Sequence, residues 1–394
     1  MRNVSLFEEQ RLTLEDNIDA SAQSLRAYMP NYDHIALAYS GGKDSSALVT
    51  LVAHLIESGQ IPRPKSLHIL FSDTRLELPP LYESAMRILA EMRSRGFNTQ
   101  VVMAPLDHRL LVYILGRGVP PPSNTFRFCT SKIKVEPMMR SLDQLRSTLL
   151  NNERILMLTG VRQGESAVRD QRISISCSKN GSECGQGWFQ TMTAPQTDTL
   201  APILSWRQCN VWDWLFFEAP SYGFPTTAVA EAYGGEKADE ISARTGCIGC
   251  PLASKDVALD AVVKQPQWAY LEPLKRLRPI YEWMRRFDNR LQKDGTETKK
   301  DGSLVANPGR KGPLTLEARI EGLERVLAIQ RDVNDKALVT YRPTISLIND
   351  EEEARIRELI AANTWPNGWS GEEPRGDLLL PDVYPNGDTQ LLLW

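Results

Sequence analysis

This chain of 394 residues has little histidine and little cysteine. Its four histidines all precede residue 109, neither zinc pattern His-x-Glu nor His-Glu-x-x-His occurs, and none of the four is assigned to catalysis. Six cysteines are too few for a disulfide scaffold at this length, and in a reducing compartment paired cysteine spacing points to metal or redox chemistry. No apolar run approaches the ~20 residues of a membrane span, no leader peptide opens the chain and no lipidation motif closes it. The expectation is a cytoplasmic protein without a membrane partner. A net charge of -3 excludes a globally basic nucleic-acid binder and leaves room for a local basic groove.

Around one stretch, Ala36-Leu37-Ala38-Tyr39-Ser40-Gly41-Gly42-Lys43-Asp44-Ser45-Ser46-Ala47-Leu48, the rest is organised. A short apolar run stops at two glycines and a helical pattern begins at once, with Ala47, Leu48, Leu51, Val52 and Leu55 on one face and Gly59 as its stop. The glycines allow a tight turn and close approach to a ligand, while free N–H groups and the positive end of the helix dipole favour an anion. Ser40 and Ser45 add hydroxyls, Lys43 a charge, and Asp44 a carboxylate for capping or metal binding. The pattern G-x-x-x-x-G-K-[ST] is absent, so γ-phosphoryl transfer is not inferred.

Residues 1–30 read as an amphipathic helical segment, with Leu12, Leu14, Ile18, Leu25 and Met29 as packing positions. Strands at His34 to Tyr39, Ser66 to Phe71, Asn98 to Met103 and Arg154 to Thr159 alternate with helices. This predicts an α/β domain over 31–292 with a doubly wound, mostly parallel sheet, whose ligands sit beyond the carboxyl ends of its strands. A polar linker at 293–313 and a small helical C-terminal domain at 314–394 follow, with helices from Leu314 to Arg331 and from Glu351 to Asn363.

Asp73 ends the second strand, where it could hold Mg²⁺ or a ribose hydroxyl, with Glu77 close enough in sequence to assist. A polar turn with a helix cap is the plainer alternative. Arg162, in Thr159-Gly160-Val161-Arg162 after an apolar strand, and Arg169 beyond it offer planar charged forks suited to phosphate, surface pairing with Glu165 being the alternative. Cys129 lies amid Arg127, Lys132 and Lys134, whose charge should favour its thiolate. Gly246-Cys247-Ile248-Gly249-Cys250 is a Cys-x-x-Cys flanked by glycines, and with one remote cysteine it could serve zinc, a dithiol switch or an iron-sulfur cluster. The segment from Cys177 to Phe189 reads as an irregular insertion, and Trp206, Trp212 and Trp214 as packing residues. Basic residues in Leu274-Lys275-Arg276-Leu277-Arg278 and Arg285-Arg286 could follow a nucleic-acid backbone, with a solvated helix face as the default.

Ser-Gly-Gly-x-Asp-Ser resembles the pyrophosphate loop of the ATP pyrophosphatases, of the adenine nucleotide alpha hydrolase-like fold. The resemblance implies cleavage between the α and β phosphates of ATP. The stretch from Asp73 to Pro79 resembles that of 3'-phosphoadenylylsulfate reductases, with Arg75 where those enzymes usually carry glycine, and Gly-x-Arg-x-x-x-Ser at Gly160 is shared with them. In adenylylsulfate reductases a Cys-Cys pair and a later Cys-x-x-Cys hold a [4Fe-4S] cluster. By that resemblance Cys129, Cys247 and Cys250 carry over, Phe128 replaces the fourth ligand, and Cys209, Cys184 and Cys177 are candidates for it, with Cys209 preferred or the fourth iron left open. The C-terminal nucleophilic cysteine of the reductases has no counterpart, because the last cysteine of this sequence is Cys250.

The combination of loop, Arg-Phe-Cys-Thr and late Gly-Cys-x-x-Cys resembles the DndC and SspD proteins of bacterial DNA phosphorothioation. That resemblance implies that ATP activates a phosphate oxygen of DNA and that sulfur comes from a cysteine desulfurase, alongside other phosphorothioation proteins. The roles it implies are pyrophosphate binding by Ser40, Gly41, Gly42, Ser45 and Ser46, charge neutralisation by Lys43, Mg²⁺ at Asp44 or Asp73, and the α-phosphate at Arg162. The cofactors implied are ATP, Mg²⁺ and a [4Fe-4S] cluster. A sulfonucleotide reductase or tRNA-thiolation enzyme, and a nucleotide-binding subunit of a defence complex, stay open, as does homo-oligomerisation.

Overall fold

The computed structural model describes residues 12–150, 153–164, 171, 182–183, 188–191, 197–235, 247–253, 255–293, 295, 298, 301–303, 310–377, 382–383 and 389–390. They form two interleaved units, one from Met1–Asp73, Leu78–Val102 and Met138–Thr245, the other from Thr74–Glu77, Met103–Pro137 and Gly246–Trp394. Both therefore draw on distant parts of the chain. The expected linker at 293–313 includes most of Lys311–Leu314, a strand paired antiparallel with Arg290–Gln292.

The first unit is a doubly wound α/β layer. Helix α1 (Leu14–Tyr28) precedes β1 (His34–Tyr39), α2 (Lys43–Glu57), β2 (Ser66–Asp73), α3 (Pro79–Ser94), β3 (Asn98–Met103), α4 (Glu136–Ser147), β4 (Ile155–Leu158), β5 (Ser182–Glu183), β6 (Trp188–Thr191) and β7 (Thr197–Ala201). The strand order is β3-β2-β1-β4-β7-β6-β5. β1 runs parallel to β2 and to β4, and β4 parallel to β7. β6 and β5 extend the sheet antiparallel beyond β7, so described parts of the expected irregular insertion are strands.

Alternation along β1 sends its residues to two helical layers. Ala36 packs with Leu70, Val102 and Ile155 against Met138 and Leu142 of α4, with Ala38 and Met157 at the margin. On α2 the burial reaches nearly all round, from Ser45 to Ala53 and again at Leu55 and Ile56. One reason is that Trp214 covers its outer side, where the indole N–H donates to Thr50 Oγ1 at 2.9 Å. Helix α1 starts at a capping box between Thr13 and Asp16. Its buried face is more polar than expected, with Asn17, Ser21 and Ser24 beside Leu25, whereas Leu12 is exposed. Trp206 explains this: its indole N–H donates to Ser21 Oγ at 3.0 Å and to the Asn17 carbonyl at 3.2 Å.

The second unit is mainly helical, with Val257–Val262, Leu277–Met284, Leu316–Val339 and Asp350–Ala361. Thr315 and Asn349 cap the last two through their side chains. Fully buried Arg319 donates to the carbonyls of Leu115, Gly116, Leu359 and Thr364. It serves chain ends whose carbonyls have no helical partner, and burial pulls its guanidinium down to about 10. Among the described residues no helix is long and apolar enough to cross a membrane.

Candidate functional site

Strand order reverses direction at β1, whose neighbours β2 and β4 lead to opposite edges, and a crevice beyond the carboxyl ends of β1 and β4 is where such a sheet receives a ligand. The turn Ser40–Gly42 follows β1. Gly41 takes φ +76°, and a Cβ there would come within 3.1 Å of Ala85 Cβ; Gly42 has an ordinary φ of -71° and serves as N-cap of α2. Ser46 N–H makes a helical bond to the Gly42 carbonyl at 2.9 Å. The N–H groups of Asp44 and Ser45 precede that first bond and have no acceptor within the helix, as an anion site requires.

Side chains fix this terminus. Ser45 Oγ donates to the Gly42 carbonyl at 3.0 Å and lies 3.1 Å from Ser40 Oγ, while fully buried Ser46 donates to the Gly41 carbonyl at 3.3 Å. Lys43 N–H donates to the Tyr233 hydroxyl at 3.1 Å, and the Lys43 ammonium sits 5.4 Å from the centre of that ring. Asp44 is clasped by Lys43 Nζ at 3.2 Å and Arg162 Nε at 2.5 Å. Arg162, 4% exposed, also donates Nη1 to the Trp206 carbonyl at 3.0 Å. Gly160 explains how the β4 loop comes so close, since a Cβ there would meet the Asp44 carbonyl carbon and Ser45 N at 3.0 Å. Asp73 is buried at the end of β2.

The second unit holds Cys129, Cys247 and Cys250. Ile248 N–H donates to the Leu76 carbonyl at 2.7 Å and Glu77 bridges Cys247, which brings the Cys-x-x-Cys loop onto the Thr74–Glu77 turn. Thr74 Oγ1 lies 3.5 Å from Cys247 Sγ. Gly249 takes φ +63° and packs so tightly that a Cβ would reach Leu277 Cβ at 2.9 Å; its N–H donates to Asp256 at 3.0 Å. Cys250 is among the groups that raise Cys129, and Lys134 is raised above its ordinary range, first by Cys247 and also by Glu77, Cys129 and Cys250. Cys129, Cys247, Cys250 and Lys134 are thus one electrostatic neighbourhood.

Burial pushes the Cys247 thiol up to about 11 and also raises Cys129. The expectation that surrounding cations favour the Cys129 thiolate is therefore corrected: desolvation outweighs Lys134, Lys132 pairs with Glu136, and Arg127 bonds Asn124. Among the described residues no three His, Cys, Asp or Glu side chains gather around a single ion. An all-thiol set of three fits a centre of several irons, each taking one thiolate.

Residues 34–222 match the model of the phosphoadenosine phosphosulfate reductase domain. An uncharacterized protein of Methanocaldococcus jannaschii, MJ0973, is 25% identical over 219 residues, which are 56% of this chain and 42% of that protein, so the chain spans less than half of that relative. Among solved structures, the phosphoadenylyl-sulfate reductase of Candida auris in a phosphate complex is similar with a TM-score of 0.36 and 11% identity, over 61% of this chain and 98% of that one. The U34-tRNA thiolase NcsA of Methanococcus maripaludis, with its [4Fe-4S] cluster, has a TM-score of 0.36 and 13% identity, over 69% and 76%.

In the first unit the structure brings together Ser40, Gly41, Gly42, Lys43, Asp44, Ser45, Ser46 and Arg162. Tyr233 was missed, and its only sequence signal is an aromatic with a hydroxyl outside every motif. Glu77 does not stand free to assist Asp73, because it accepts from Thr74 N–H at 3.1 Å and Thr74 Oγ1 at 2.6 Å. Cys209 is exposed on the helix Gln208–Asp213. Arg169, Glu165, Cys177, Cys184 and Gly246 lie outside the described residues. Trp206, Trp212 and Trp214 are buried packing residues, as expected. In the second unit the basic run is paired, Lys275 with Asp260, Arg276 with Asp332, Arg278 with Glu282 and Arg286 with Asp288.

Proposed function

We propose that this chain is an ATP pyrophosphatase that adenylates an oxygen of a DNA backbone phosphate so that sulfur can replace it. The observation that carries the reading is the pairing, in one chain, of an anion-accepting helix terminus at a sheet switch point with three thiols sharing one neighbourhood. The N–H groups of Asp44 and Ser45 and the Ser40 and Ser45 hydroxyls would bind the β and γ phosphates, with Lys43 neutralising their charge. Asp44 or Asp73 would hold Mg²⁺, and Arg162 would face the α-phosphate. A non-bridging oxygen attacks the α-phosphorus and pyrophosphate leaves. Hydrosulfide then displaces AMP, which departs with that oxygen. The sulfur would come from a cysteine desulfurase with a reductant, and other phosphorothioation proteins would be partners.

Cys129, Cys247 and Cys250 would hold a [4Fe-4S] cluster, with the fourth iron left open. When bound, the cluster supplies a place for sulfur or electrons. The test is anaerobic purification with iron and sulfide analysis, followed by incubation of radiolabelled ATP with duplex DNA. AMP and pyrophosphate, made only when DNA is present, are expected. Release of γ-phosphate would sink the first step, and stimulation by tRNA or adenylylsulfate instead of DNA would reassign the acceptor.

A further inference from the structure

The helix Leu277–Met284 and its C-cap carry two side chains, Tyr281 and Arg285, with buried donors that have no hydrogen-bond partner among the described residues. Tyr281 is 1% exposed, and its hydroxyl has no hydrogen-bond partner among the described residues. Arg285, four residues on and so on the same helix face, gives Nη1 to the Pro251 carbonyl at 3.4 Å, while its Nε and Nη2 are buried without a partner among the described residues. Buried polar groups are nearly always hydrogen-bonded, and donors left over at one place point to an acceptor that binds there. The helix lies directly on the Cys-x-x-Cys loop, because a Cβ on Gly249 would meet Leu277 Cβ at 2.9 Å and Arg278 N at 3.2 Å. Burial pushes the Tyr281 phenol far above its ordinary range, with the Cys247 and Cys250 thiols adding to it, and Cys250 is among the charges Arg285 feels. Both donors thus lie on the helix packed against the Cys-x-x-Cys loop, and Arg285 binds the carbonyl of the residue after Cys250.

We propose that the Tyr281 hydroxyl and the Arg285 guanidinium donate hydrogen bonds to the sulfur of the centre held by Cys129, Cys247 and Cys250, and that they raise its reduction potential. The inference rests on the cluster reading above. Hydrogen bonds to cluster sulfur favour the more negative, reduced state, and Arg285 adds a positive charge. Both residues lie outside the matched domain at 34–222, so this tuning belongs to the second unit alone.

The test compares wild type, Tyr281→Phe, Arg285→Met and Arg285→Lys, each loaded with iron and sulfide under anaerobic conditions. Midpoint potentials are read by redox titration followed by electron paramagnetic resonance. Tyr281→Phe removes one oxygen and keeps the ring in its packing. Potentials more negative than wild type are expected for Tyr281→Phe and Arg285→Met, with Arg285→Lys recovering part of the shift. Unchanged potentials in fully loaded Tyr281→Phe and Arg285→Met overturn the inference. A wild-type protein that takes up no iron or sulfide overturns the cluster reading first, and this inference with it.

Discussion

Gly160→Ala isolates the close approach on which the phosphate site depends. The added methyl would stand 3.0 Å from the Asp44 carbonyl carbon, 3.0 Å from Ser45 N and 3.1 Å from the Asp44 carbonyl oxygen. All three are backbone atoms of the first helical turn, so none can swing aside as a long side chain could. Either the β4 loop or the start of α2 must shift by a few tenths of an ångström. Overpacking of this kind costs about 1–3 kcal/mol, and in a domain of this size each kcal/mol lowers the melting temperature by about 2–4 °C. The same shift moves the Ser45 N–H and loosens the Arg162 clasp on Asp44. Losing one charge-assisted hydrogen bond of about 1.5–3 kcal/mol weakens nucleotide binding roughly ten- to a hundredfold. Calorimetric titration with a non-hydrolysable ATP analogue, beside thermal unfolding, reads both. Should Gly160→Ala bind the analogue like wild type and melt at the same temperature, the contact is not tight in solution and the site's geometry has been misread.

Three further outcomes are expected. Arg75 holds φ +69°, a left-handed backbone that a side chain other than glycine occupies at a cost of about 1–2 kcal/mol; its guanidinium reaches Glu352 at 3.2 Å and Ser346 Oγ at 3.2 Å. Arg75→Ala, which keeps the strain and loses the pair, should therefore be less stable in urea than Arg75→Gly by about 1 kcal/mol, and the reverse order would refute the account. Asp256 accepts from Gly249 N–H at 3.0 Å and Leu259 N–H at 3.1 Å, so Asp256→Ala should cost about 1–2 kcal/mol and reduce retained iron, whereas unaltered iron content would count against its hold on the thiol loop. In cluster-free protein the Cys247 thiol, raised from 9.0 to about 11, stays protonated at neutral pH. Its contribution to stability is present below pH 9 and fades as pH rises through about 11, and iodoacetamide labelling should climb about tenfold per pH unit over that range. Labelling of Cys247 at pH 7.5 as fast as exposed Cys209 would contradict this.

How much of this was legible beforehand depended on whether the cause was local. The strands His34–Tyr39 and Asn98–Met103 fall where their residue pattern put them, and Ser40 to Ser46 and Arg162 meet because turn, helix start and strand end are local signals placed by the rules of a parallel sheet. The partners that finish the site were not local. Arg162 is held partly by a backbone carbonyl at Trp206, which every residue possesses, and Lys43 by Tyr233, 190 residues away. The charge around Cys129 was misjudged although the sequence held a warning, since Glu136 stands four residues after Lys132 and takes it as an ion pair.

Arg75 shows the same limit from the other side. A departure from glycine reads in the sequence as a changed ligand contact, yet in the structure the position is a left-handed turn residue whose side chain is anchored to buried Glu352. That carboxylate also takes Arg109 at 3.2 Å and caps Asp350–Ala361 through Asn349. The substitution therefore ties the turn carrying Thr74 and Glu77, which touches Cys247, to a helix nearly 280 residues later. A strained turn residue that is itself a tether makes the thiol neighbourhood answerable to the C-terminal helices. Mutations at Glu352 should accordingly be felt at Cys247, through the turn, before they are felt at the phosphate loop.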